Sequence, residues 1–167
     1  MNSGDFVMRR RLLPAAALAV FVMASPAVLA QSALKPSESV WKPAPTPPGG
    51  VAWQVLESTK EDPAAAKAGT IKPVFPADVK ALAGKRVKIN GYMLPLGKGA
   101  SQSHFVLLAY PPDCPFHLNP GPQQFIEVKM SSAIPMNYDV RTIEGTLELA
   151  GNDGSGVFYK ISNGKGS

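Results

Sequence analysis

Two stretches of strict alternation, each with a glycine on its apolar face, constrain this chain most. Arg86 to Met93 places Val87, Ile89, Gly91 and Met93 on one face and Arg86, Lys88, Asn90 and Tyr92 on the other. Arg141 to Leu149 sets Ile143, Gly145, Leu147 and Leu149 against Thr142, Glu144, Thr146 and Glu148. A period of two is the mark of a half-buried strand. Phe105 to Tyr110 is apolar on both faces, as a strand enclosed on both sides is; Phe125 to Met130 groups Ile126, Val128 and Met130, and Val157 to Ile161 closes the set. Gly91 and Gly145 permit the bends or bulges that carry a strand round a corner. The five segments therefore predict a mostly β fold, a small closed or nearly closed five-stranded OB-like barrel, with a small β-sandwich as the alternative; closure removes exposed edges. Asn152-Asp153-Gly154 supplies the last hairpin turn, and residues 163–167 are expected to be a loose tail.

Upstream of the strands the punctuation changes. Pro76 can open a short helix through Asp78, Val79 and Leu82 that stops at Gly84. Lys60 to Lys72, alanine-rich and bounded by Pro63 and Pro73, reads as a surface loop or a frayed helical turn. Val51 to Leu56 fits a strand by alternation and a helix by the spacing of Val51, Val55 and Leu56. Residues 31–50 carry Pro36, Pro43, Pro45, Pro47 and Pro48, and predict a disordered arm, an extended and mobile Pro-rich linker, in which Trp41 either docks a partner or folds back onto the domain. The single β domain is then residues 51–162.

The N-terminus predicts export. Basic Arg9-Arg10-Arg11 precedes an apolar run from Leu12 to about Ala24, too short to span a bilayer, and Val28 and Ala30 suit a signal peptidase, so residues 1–30 read as a signal peptide. The arginines fit an ordinary basic n-region and also a twin-arginine signal, so the export route is Sec or twin-arginine. No cysteine follows the cleavage site for lipidation, which predicts a periplasmic mature chain without a membrane span. Losing three arginines and Asp5 leaves 14 basic against 11 acidic residues, a charge of +3, in place of +5. That balance and the export signal argue against nucleic acid as a partner.

The run Phe75-Pro76-x-x-Val79-x-x-Leu82-x-Gly84-Lys85-Arg86-Val87-x-Ile89-x-Gly91-Tyr92-Met93-x-Pro95-Leu96 is preceded by Val51-x-Trp53-x-x-Leu56. It is followed by Phe105-x-Leu107-Leu108-x-Tyr110, Cys114 and Glu144-Gly145-Thr146-Leu147. The pattern resembles a large family of uncharacterised bacterial exported proteins, a domain-of-unknown-function family. The resemblance spans about residues 51–162 and implies a periplasmic or lipoprotein setting. In some relatives it implies a neighbourhood of ABC-type export components and zinc-responsive genes. Members often carry a histidine two residues after the cysteine; here His117 stands three after Cys114.

Asp113-Cys114-Pro115-Phe116-His117, among Pro111, Pro112, Pro120 and Pro122, is the chemically loaded segment. One cysteine makes no intrachain disulfide, so Cys114 is buried, metal-bound, or exposed and reactive. The metal reading takes Cys114, His117 and His104 as zinc ligands with Asp113 as a fourth. Copper is the weaker case, because Pro122 stands where a blue-copper loop places methionine and no histidine precedes His104. A Cys-His nucleophile pair lacks an orienting third group, and Glu144 and Glu148 read as a solvated strand face, so no enzyme is expected. The basic cluster Lys80, Lys85, Arg86 and Lys88 suits solubility, an anionic headgroup, a glycan or an acidic partner. Two functions follow as expectations. One is a non-catalytic periplasmic binding or accessory module for a periplasmic or membrane protein partner, associated with an ABC-type export system and without cofactor. The other is a zinc-handling protein centred on the Cys114 loop.

Overall fold

The computed structural model describes residues 42–112, 120–151 and 153–166. Its elements are α1 (Trp53–Glu57), β1 (Lys60–Glu61), α2 (Pro63–Lys67), β2 (Pro73–Val74), α3 (Ala77–Lys80), β3 (Arg86–Pro95), β4 (Ser101–Leu108), β5 (Phe125–Pro135), β6 (Arg141–Leu149) and β7 (Tyr159–Gly166). No described helix is long and apolar enough to cross a membrane.

The last five strands form one closed barrel in the order β3-β4-β5-β7-β6, with β6 pairing back onto β3. All pairs are antiparallel except β5 with β7. Counted along the barrel the order is first, second, third, fifth, fourth, the OB-like arrangement that the alternation predicts. A single closed sheet leaves no second sheet, so the sandwich alternative falls away. Inward positions alternate as the sequence requires: Val87, Ile89 and Met93 from β3, Phe105 and Leu107 from β4, Ile126 and Val128 from β5, Ile143 and Leu147 from β6, and Ile161 from β7 are all buried. Each such side chain contributes roughly 1.5–3 kcal/mol on burial.

Gly145 is set by space. A Cβ there would sit 2.5 Å from Ile161 Cγ2 and 2.8 Å from the Ser162 carbonyl oxygen, and the β6–β7 register shifts between Glu144 and Thr146. The matching irregularity in β7 uses Asn163 at φ 53, one of the few non-glycine residues that tolerate that region.

The lower mouth of the barrel is closed by the N-terminal elements. Trp53 and Leu56 of α1 and Val79 of α3 are buried, and Phe75 packs its ring 6.2 Å from Phe158 and 5.9 Å from Tyr159. Trp53 Nε1 donates to the Asn90 carbonyl at 2.6 Å, tying α1 to β3. Packing thus selects the helical reading of residues 53–57 over the strand reading. The expected helix after Pro76 forms as α3, and the Lys60–Lys72 segment contains the α2 turn, capped by Asp62 accepting from the Ala64 N–H at 2.9 Å.

Two segments differ from the sequence expectation. Residues 42–50, read as part of a mobile disordered arm, are extended but held: Ala44 is buried and donates its N–H to Ala109 O at 2.7 Å, and Asn90 Nδ2 donates to Pro45 O at 2.7 Å. Proline's missing donors are no obstacle where the neighbouring residues and the barrel supply the bonds. Residues 163–166, read as a loose tail, complete β7, pairing Lys165 with Glu144 and Gly164 with Met130. Polar, glycine-rich composition hides a strand whose partners come from elsewhere in the barrel.

Candidate functional site

The outward face of β4, β5 and β7 collects polar side chains by strand alternation. His104 points out from β4, Glu127 from β5 and Lys160 from β7; register sets Val106 opposite Glu127 and Glu127 beside Lys160. His104 Nε2 lies 2.8 Å from Glu127 Oε1, Lys160 Nζ lies 3.8 Å from Glu127 Oε2, and the same ammonium lies 3.8 Å from Asp153 Oδ2. Asp153 accepts from the Ser155 N–H and hydroxyl at 3.0 and 2.7 Å, and these bonds, ahead of Lys160, hold its carboxyl below the usual range. The result is a line of linked polar side chains across three strands, with His104 about half exposed at one end.

Beside His104 a groove of about 270 Å³ runs along the β3–β4 connection, lined by Leu96, Lys98, Ser101, Gln102 and Ser103. Buried Gln102 shapes it, donating its amide to the carbonyls of Gly97 at 3.3 Å and Gly99 at 2.9 Å. The β5–β6 connection is its neighbour, since Met136 N donates to Ala100 O at 2.9 Å. Arg141 fixes that second loop through Asn137 Oδ1 at 2.9 Å and Pro135 O at 2.8 Å. On these two adjoining loops stand Leu96, 54% exposed, Tyr138, 72% exposed, and Val140. Large apolar side chains left in water on loops that are otherwise pinned are the unusual feature of this pole.

Of the residues singled out as metal ligands, the structure describes His104 alone; Cys114 and His117, like Asp113 and Trp41, lie outside the described residues. His104 sits mid-strand, four residues or about 13 Å before Leu108, where β4 ends and the chain runs on toward Cys114. The root of that segment is anchored at the other end of the β4–β5 pair. Ala109 N donates to Gln124 O at 2.9 Å, and Tyr110 donates its hydroxyl to Glu57 Oε1 at 3.0 Å. Burial, then the Glu57 carboxylate, pushes the Tyr110 phenol above its ordinary pKa. Among the described residues no three His, Cys, Asp or Glu side chains converge, so His104 and Glu127 pair without a third such group.

The two strand carboxylates are individually engaged. Glu144 accepts from Arg86 Nε at 2.6 Å, and Glu148 accepts from the Ser162 hydroxyl. The reading of Glu144 and Glu148 as a solvated face agrees with this arrangement. Sequence reasoning passed over Leu96, Glu127, Tyr138 and Lys160. Tyr138, an aromatic inside the polar turn Asn137-Tyr138-Asp139, carried a signal that was readable; the others acquire meaning only from strand register.

A family model described as "Protein of unknown function (DUF3299)" matches residues 35–161. Among solved structures, the chain is similar to a DUF3299 family protein from Pseudomonas aeruginosa PAO1, known from a crystal structure at 2.45 Å resolution. The two are 25% identical over 76% of this chain and 87% of that one, with a TM-score of 0.45. Comparison with curated proteins gives no match. The chain belongs to the DUF3299 family, whose members are proteins of unknown function.

Proposed function

We propose that this protein is a non-catalytic periplasmic binding module that docks a partner protein through the pole formed by the β3–β4 and β5–β6 connections. The observation that carries the reading is the exposure of Leu96 and Tyr138 on two loops joined by the Met136–Ala100 hydrogen bond. Exposed leucine and tyrosine on rigid loops act as anchors that lose little conformational entropy on binding. His104, the end of the polar line nearest the pole, lies in the groove beside the β3–β4 connection and supplies a polar edge there, while Glu127, Lys160 and Asp153 run away from it. The signal-like pattern of residues 1–30 supports a periplasmic setting, and the resemblance to proteins encoded near ABC-type exporters supports a membrane transport complex as the partner class.

The test is photo-crosslinking in the native periplasm from a benzophenone residue at position 138. A discrete adduct that disappears with Leu96→Asp, and is absent from the same probe at exposed Ile71, supports the reading. No adduct, or one indifferent to Leu96→Asp, overturns it.

Zinc handling is the second reading, and one observation favours it: Glu127 holds one imidazole nitrogen of His104, the arrangement that orients a metal-ligating histidine and leaves its other nitrogen to bind. Cys114 and His117 would supply the thiolate and second imidazole. Zinc titration of the reduced protein tests it; stoichiometric sub-micromolar binding lost in both Cys114→Ser and His117→Ala supports the site, and the absence of binding removes it.

A further inference from the structure

We infer that the groove between the Pro47–Pro48 turn and the β3–β6–β7 face is a second binding site, one that takes a phosphate group. The groove has a volume of about 330 Å³ and is lined by Pro47, Pro48, Lys88, Thr142, Glu144 and Lys165.

Strand register builds its floor. Lys88 of β3 lies opposite Glu144 of β6, and Glu144 lies opposite Lys165 of β7, so the two lysines flank one carboxylate from either side. That carboxylate is already taken: Arg86 Nε sits 2.6 Å from Glu144 Oε1. The Arg86 bond, followed at a distance by Lys88 and Lys165, holds the Glu144 carboxyl below its usual pKa. Three cations therefore share one anion, and neither lysine comes within 4.0 Å of a carboxylate oxygen among the described residues. Opposite charges normally match across neighbouring strands; here the row is left in cationic excess. The two lysine backbones stand two strand spacings apart, about 10 Å, a separation that long flexible stems close over a ligand held between them. A singly charged carboxylate is satisfied by one ammonium. A multiply charged phosphate takes both, and lysine binds phosphate as a point charge.

The wall of the groove is preformed, which separates this site from a chance meeting of surface lysines. Pro47-Pro48-Gly49-Gly50 is a turn closed by Gly50 N donating to Pro47 O at 2.9 Å, with Gly49 at φ 67. Val51 N donates to Lys88 O at 2.8 Å, so the turn is bolted to the same residue that supplies a cation. Gly50 has to be glycine: a Cβ there would lie 2.5 Å from Lys88 O and 2.5 Å from Pro47 Cγ. Thr142 continues the bracing by donating to Asn90 Oδ1 at 2.7 Å, while Asn90 donates to Pro45 O at 2.7 Å. The exposed Pro48 ring, backed by buried Pro47, gives the moiety that carries the phosphate an apolar side to lie against.

The phosphate can arrive free, on a small ester, or on a lipid headgroup, and the experiment separates these sources. Inorganic phosphate and pyrophosphate are titrated into the ¹⁵N-labelled protein, and binding to phosphatidylglycerol vesicles is compared with phosphatidylcholine vesicles by co-sedimentation. Binding that shifts the amides of residues 49–51, 88, 144 and 165 is expected, weakening at least fivefold in Lys88→Ala and in Lys165→Ala. Glu144→Gln is expected to tighten it at least twofold, because it removes the negative charge and releases Arg86. This opposite sign distinguishes a charge effect from damage to the fold. Shifts at those amides with the free anions assign a soluble phosphate; retention on phosphatidylglycerol vesicles alone, with the same variant pattern, assigns the headgroup. Failure of both arms, or binding that the lysine variants leave unchanged, overturns the inference.

Discussion

The hydroxyl of Tyr159, at the start of β7, donates to the carbonyl of Leu56 at the end of α1 over 2.8 Å, and lies 2.6 Å from the Thr59 hydroxyl. All three residues are buried, so this contact between positions 103 apart is where the N-terminal cap is fastened to the barrel.

Tyr159→Phe removes the donor, leaving the Leu56 carbonyl with the Thr59 N–H at 3.1 Å and the buried Thr59 hydroxyl without its phenol partner. The expected loss is about 1–3 kcal/mol of unfolding free energy, read by urea denaturation at neutral pH. The same bond has a pH signature. Burial raises the Tyr159 phenol from 10.0 to about 12, against the smaller opposing effect of Thr59. An acid whose folded pKa is raised keeps its proton in the folded state while the unfolded chain releases it. Its contribution is therefore complete below about pH 10 and is lost progressively toward pH 12. The stability difference between wild type and Tyr159→Phe should shrink over that window, and a difference constant to pH 12 would contradict the assignment.

Gly145→Ala should destabilise the barrel by about 1–3 kcal/mol or more, the usual cost of overpacking. Its new methyl would press on Ile161 and on the backbone of Ser162 and Gly164. Thermal unfolding checks it, with Gly154→Ala as a comparison: Gly154 has nothing within 4 Å of its Cβ position, and strain there comes only from φ 73.

Deleting residues 162–166 should abolish cooperative unfolding. The second half of β7 bridges β5 and β6 through Thr146–Ser162, Met130–Gly164 and Glu144–Lys165, so its loss opens that half of the sheet on both sides, leaving only residues 159–161 paired. Near-UV circular dichroism of the truncated chain would show a native-like signal only if this segment were the loose tail its composition suggests.

Arg141→Ala should leave the barrel folded and loosen residues 136–140, because the guanidinium ties Asn137 and Pro135 to β6. Hydrogen exchange at Tyr138 to Val140 should accelerate at least tenfold while amides of Ile126 and Val128 stay protected. If partner docking depends on a preorganised Tyr138, the crosslink from position 138 should weaken in the same variant.

The strand faces were legible in the sequence, which favoured a barrel while a sandwich stayed open until the β3–β6 pairing closed the sheet. The alternation of Arg86–Met93 and Arg141–Leu149 depends only on the two-residue period of the pleat, so which side chains turn inward was legible without any partner strand. The glycines at 91 and 145 were legible as places where the backbone needs room, although the atoms they make room for were not. Tertiary structure decided everything that depends on who sits next to whom. Residues 53–57 became a helix because Trp53 and Leu56 found the open mouth of the barrel, an influence outside any local window. Residues 42–50 and 163–166 became ordered because distant strands supplied their hydrogen bonds, which composition does not encode. The pairing of His104 with Glu127, and the flanking of Glu144 by Lys88 and Lys165, follow from register between strands far apart in sequence. Register is fixed by the summed fit of the whole barrel interior, and that sum exists only once the chain has folded.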